Sequence, residues 1–126
     1  MDKIKIVRYE TLKECLDALG VDPNTKGYWE WADANGTRHK ERYGKAIDKI
    51  RKFKCWGWAD KGKGKREVHV WIGKRATLKD VVALLAHEMG HLERPFHDTR
   101  FAEETKAAKY ERVAFNALGA AQELLE

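Results

Sequence analysis

The sequence predicts an α+β fold, a small and mostly antiparallel sheet packed against two or three helices. Short runs of alternating apolar and aromatic residues, bounded by turn signals, read as strands. Two longer stretches toward the C-terminus carry apolar residues three and four apart and read as helices. At 126 residues the chain fits one domain, spanning 1–126, with one modest core.

Lys3 to Tyr9 reads as the first strand, with Ile4 and Ile6 alternating against Lys5 and Val7. Thr11 to Leu19 follows as a helix. Thr11 can cap it, Glu14 supplies the capping-box acid and Gly20 stops it. Asp22-Pro23-Asn24 makes a turn. Tyr28 to Ala32 is strand-like and runs into the turn signal Asn35-Gly36. Lys40 to Phe53 has helical spacing through Tyr43, Ala46, Ile47 and Ile50. Two strands come next, Cys55 to Ala59 and Glu67 to Ile72, joined by a Lys/Gly-rich hairpin loop over Asp60–Arg66 that is expected to be mobile. In the second of these strands, Val68, Val70 and Ile72 share one face, while His69 and Trp71 share the other. Thr77 to Glu93 is the clearest helix, with Thr77 as its cap, Asp80 three residues on and Pro95 ending it. A long C-terminal helix is expected from about Thr99 to Leu125, with Asp98 as its cap.

No apolar run reaches the roughly 18–20 residues of a membrane span, and the first residues, MDKIKIVRYE, lack the apolar stretch of a secretory signal. Cys15 and Cys55 are too few for a disulfide-stapled secreted fold and read as reduced thiols, which points to the cytoplasm. The net charge of +5 is uneven. From Arg38 to Arg75 there are 14 Lys and Arg against 4 Asp and Glu; from Ala76 to Glu126 there are 6 against 9. The basic segment 38–75 suits either a solvated surface or a nucleic-acid partner. Five tryptophans, Trp29, Trp31, Trp56, Trp58 and Trp71, suit core packing or a stacking platform for bases. His69 is expected to be exposed, on the face of its strand opposite the valines.

The chemistry is concentrated at His87-Glu88-Met89-Gly90-His91, which fits H-E-x-x-H. On a helix, residues four apart lie on one face, so two imidazoles there can hold one Zn²⁺ at about 2.0–2.1 Å. Glu88 then lies beside the metal as a general base for zinc-bound water, whose pKa falls toward about 7. Gly90 costs the helix about 1 kcal/mol relative to Ala, which makes sense if something approaches the backbone closely there. A catalytic zinc needs a third protein ligand and an open position. Glu104 is the first candidate. It and Glu111 fall within the apolar arc of the C-terminal helix, where a buried carboxylate asks for a cation, and Glu104 sits level with the two histidines if the helices pair antiparallel. His97 is the alternative, six residues past His91 across the Pro95 stop; Glu111 ranks third.

From about Val68 to Leu125 the chain resembles zincin metallopeptidases. The segment from Glu104 to Tyr110 resembles the Glu-x-x-Ala-Asp segment of gluzincin-like families, including the ImmA/IrrE-like proteins often found in phages and mobile elements. That resemblance implies a Glu ligand at Glu104, although Ala108 stands where those families often carry Asp. The stretch His97-Asp98-Thr99-Arg100-Phe101 resembles the His-x-x-x-Phe element of SprT-like and WLM-type metallopeptidases, which would make His97 the ligand. Both imply zinc-dependent hydrolysis of a protein or peptide. They also imply that Glu67–Ile72 is the edge strand against which an extended substrate pairs. A hydrolase acting on another bond, or a nucleic-acid-binding module with a closed structural zinc, uses the same residues.

Overall fold

The computed structural model describes residues 4–32, 38–93, 114 and 116–125. Among these, the chain runs β1 (Lys5–Tyr9), α1 (Leu12–Leu19), β2 (Tyr28–Ala32), β3 (Arg38–Arg42), α2 (Tyr43–Ile50), β4 (Cys55–Asp60), β5 (Glu67–Ile72) and α3 (Leu78–Glu93). Residues 116–125 form a further helix, α4. The architecture is α+β, with two small sheets. No helix among the described residues is long and apolar enough to cross a membrane.

The larger sheet has the order β1-β5-β4. β4 and β5 pair antiparallel through their hairpin, with Trp58 opposite His69 and Asp60 opposite Glu67. β1 pairs parallel to β5, with Lys5 opposite Glu67 and Tyr9 opposite Trp71. The three-stranded sheet is therefore mixed, and β5 is its central strand. That corrects the expectation of an edge strand at Glu67–Ile72, because both of its backbone edges are already hydrogen-bonded. The smaller sheet pairs β2 and β3 antiparallel. Its strands flank the Asn35-Gly36 turn, which lies outside the described residues. Arg38–Arg42 is thus a strand, and the helix expected from Lys40 begins at Tyr43. Pairing with the aromatic β2 overrides the helical spacing at that end.

Strand alternation sends side chains to two cores. On one face Val68 and Val70 meet Val81, Leu85, Met89 and Leu92 of α3, with Ala117 and Ala121 of α4 and the flanking Ile4 and Ile6. On the other face Cys15 and Leu16 of α1, Ile47 and Ile50 of α2 and Trp56 form a second cluster, edged by Tyr9, Trp29, Trp58 and Trp71. Each fully buried Val, Leu or Ile contributes about 1.5–3 kcal/mol. Trp29 packs edge-on against Trp56 at 5.7 Å and stacks on Tyr43 at 5.5 Å. Trp56 is thus a core residue, with Trp29, Trp58 and Trp71 partly buried at its margin; the Trp31 side chain lies outside the described residues.

The caps follow the sequence. Thr11 accepts from the Glu14 amide at 3.2 Å, and Gly20 ends α1 at φ 85°, a left-handed conformation that favours glycine. At α3 the box is reciprocal. The Asp80 amide donates to Thr77 Oγ1 at 3.3 Å, and the Thr77 amide and hydroxyl donate to Asp80 Oδ2, each at 2.9 Å. These bonds hold the Asp80 carboxyl below its ordinary range, the backbone bond most strongly. α3 is thereby anchored where it leaves the sheet.

Candidate metal centre

α3 carries the motif without a break, from Leu78 to Glu93. At about 100° per residue, Val81, Leu85, Met89 and Leu92 define the arc turned to the sheet, and Glu88 falls at its border, about 20° beyond Val81. His87 and His91 fall on the adjoining flank. Glu88 is correspondingly buried, at 7% exposed. Desolvation alone pushes its carboxyl up to about 8. A cation within a few ångströms would restore the ionised form. His87 is half-buried. The His91 backbone continues the helix one turn on; its side chain, and all of His97, Glu104, Tyr110 and Glu111, lie outside the described residues. The donor types fit zinc, with helical spacing for two imidazoles and a carboxylate withdrawn from water beside them. At Gly90 an added Cβ would meet nothing within 4 Å among the described residues.

A second constellation lies on the opposite face of the sheet. His69 is 8% exposed, so the expectation that it points into solvent is corrected. Its ring lies flat on Trp58, with centroids 4.0 Å apart and planes 4° from parallel, and Tyr9 stacks beyond at 5.7 Å. The Tyr9 hydroxyl is 2.7 Å from His69 Nδ1, and His69 Nε2 is 3.0 Å from Glu67 Oε1. Asp60 completes the group. One ligand atom from each of Asp60, Glu67 and His69 lies within 4.8 Å of the others. Sequence reasoning missed this cluster, although its signal was present. A β4–β5 hairpin in this register puts Asp60 beside Glu67 and Trp58 beside His69.

The two cysteines are free thiols, Cys15 buried and Cys55 partly so. Burial pushes Cys15 up to about 12 and Cys55 up to about 11. The Glu88 charge adds to the shift at Cys15. Neither has the lowered pKa of a reactive nucleophile.

Comparison with protein-family models, curated proteins and solved structures returns no match.

Proposed function

We propose that the chain is a zinc-dependent hydrolase, a zincin-type metallopeptidase with His87 and His91 as ligands and Glu88 as general base. Glu104 is the third ligand in this proposal, with His97 as its alternative. The observation that supports it is the Glu88 carboxyl, buried on α3 between the two histidine positions. Core helices rarely bury a glutamate without a proton, partner or cation to offset the cost.

Bound there, zinc would supply an acidified water and a polarised substrate carbonyl. His87 and His91, one turn apart, would hold the ion from one flank of α3. Glu88 would accept the proton of the attacking water and return it to the leaving amine. The sheet-facing arc of α3 keeps bulk water from Glu88 and so strengthens its electrostatic coupling to the ion.

The test is a Glu88→Gln variant, zinc-loaded, assayed on a mixed peptide library by mass spectrometry. Gln keeps the shape and cannot take the proton. The variant should hold as much zinc as wild type and lose cleavage by about 10²-fold or more. Undiminished cleavage by the variant would remove Glu88 from the mechanism.

A further inference from the structure

We propose that Asp60, Glu67 and His69 form a second divalent-metal site, independent of the α3 motif, which takes a first-row transition ion such as Zn²⁺ or Mn²⁺. The site is at the hairpin end of β4 and β5, on the face of the sheet away from α3.

Donor chemistry comes first. One imidazole and two carboxylates make a borderline-to-hard set suited to these ions, and the two negative charges balance a dication. Ligands at about 2.0–2.2 Å from one ion lie roughly 3.3–4.4 Å apart, depending on geometry. The three donors already lie within 4.8 Å of one another, and His69 Nε2 to Glu67 Oε1 is 3.0 Å. Small side-chain rotations close the remainder.

Preorganisation is the second argument, and it is independent of the carboxylates. A ligating histidine normally has its other ring nitrogen hydrogen-bonded, which fixes the tautomer and the ring plane. Here Tyr9 occupies Nδ1 at 2.7 Å, and Trp58 holds the ring face at 4.0 Å. Nε2 is the nitrogen turned to Glu67. In the tautomer with its proton on Nε2, the Tyr9 hydroxyl donates to Nδ1 and Nε2–H donates to Glu67. A metal on Nε2 would take the other tautomer, with Nδ1–H donated to the Tyr9 oxygen. Tyr9 can serve both states because a phenol hydroxyl both donates and accepts.

Access is the third. Asp60 and Glu67 side chains are partly exposed, beside the exposed residues 61–65 of the hairpin. Two contacts compete with an ion there. The Gly62 amide donates to Asp60 Oδ1 at 2.8 Å, and Lys65 Nζ stands 3.8 Å from Asp60 Oδ2. The first leaves Oδ2 available. The second is a long contact from a solvent-exposed ammonium that a dication displaces.

The experiment uses untagged full-length protein titrated with Co²⁺ and with Zn²⁺ alone. It follows visible absorption, tryptophan fluorescence and stoichiometry by elemental analysis. His87→Ala/His91→Ala should still bind one equivalent, and Co²⁺ should quench the tryptophan emission because Trp58 lies against the ligating ring. Adding Asp60→Asn or His69→Gln should abolish that equivalent. Tyr9→Phe should weaken it about tenfold or more, as loss of an orienting partner does. If the double-histidine variant fails to fold, Asp60→Asn in the otherwise native chain should bind one equivalent fewer than wild type. A double-histidine variant that takes up no metal, or an Asp60→Asn chain that binds as much as wild type, overturns the site. Failure of the α3 centre would show separately, as wild type and the double-histidine variant binding the same amount.

Discussion

Gly57 is where a single methyl group tests the packing of the larger sheet. A Cβ at this position would stand 2.5 Å from the backbone oxygen of His69 and 3.0 Å from Val70 Cγ1. A carbon approaching a carbonyl oxygen settles at about 3.3–3.6 Å, so β4 or β5 would have to yield by roughly 0.8 Å. The obstacle is ladder backbone, flanked by the Trp58–His69 stack, and cannot swing aside as a side chain tip does. Overpacking in a well-filled core costs about 1–3 kcal/mol, and a rigid obstacle places Gly57→Ala in the upper half, about 2–3 kcal/mol. At roughly 2.1 cal/mol/K per residue, a chain of this length loses about 4 °C of Tm per kcal/mol, so the variant should melt about 8–12 °C lower. The assay is a thermal melt by far-UV circular dichroism, with Gly119→Ala as the comparison. An added Cβ at Gly119 meets nothing within 4 Å, and alanine there should raise Tm by up to about 4 °C through helix propensity alone. Melting of Gly57→Ala within about 2 °C of wild type would refute the close approach of β4 to β5.

Further outcomes follow from the caps, the thiols and the metal. Asp80 has a lowered pKa in the folded chain, so the stability it confers is present above its ordinary pKa of 3.8 and lost as pH falls through the lower folded value. Asp80→Asn should lower Tm at neutral pH and flatten the acid limb of the stability curve; an unchanged acid limb would refute the role of the box. For Cys15 the sign is opposite. The unfolded thiol ionises near 9.0 and the folded one near 12, so stability falls as pH rises across that interval. At pH 8 iodoacetamide should not label Cys15 until denaturant is added, and rapid labelling of Cys15 in the native chain would contradict its burial. In an Asp60→Asn background, Glu104→Ala should weaken zinc binding at least about tenfold while His97→Ala leaves it nearly unchanged; the reverse result transfers the third ligand to His97.

Much of the fold was legible where a local signal and a tertiary demand agree. Thr11 and Gly20 bound α1, Thr77 and Asp80 start α3, and the hairpin at 60–66 sets the β4–β5 register, all from short-range chemistry. What the sequence concealed is non-local. Nothing in Lys5–Tyr9 says that its partner is β5 or that the pairing is parallel, so the central place of β5 went unread. Arg38–Arg42 lacks the apolar alternation of a strand and becomes one by pairing with β2. His69 was misjudged for the same reason. Its face lies opposite the valines of the core, yet Trp58 and Tyr9 cover it from two other strands. The motif on α3 was legible as spacing. That Glu88, at the border of the sheet-facing arc, is buried follows only from the packing around α3.

The parallel pairing of β1 with β5 also has a consequence in time. Lys5 and Glu67 stand roughly sixty residues apart along the chain, so β1 leaves the ribosome long before its partner exists. At synthesis rates of about 5–20 residues per second, that interval is roughly 3–12 s. Throughout it the β1 backbone has no ladder, and Ile4 and Ile6 have neither the valines of β5 nor the leucines of α3 to cover them. The β4–β5 hairpin closes through neighbouring residues as soon as it emerges, whereas the docking of β1 closes a long loop and belongs among the slow steps. A nascent chain stalled before Glu67 would therefore present an uncovered, β-prone segment to chaperones, and release from that hold would wait until β5 and α3 have emerged.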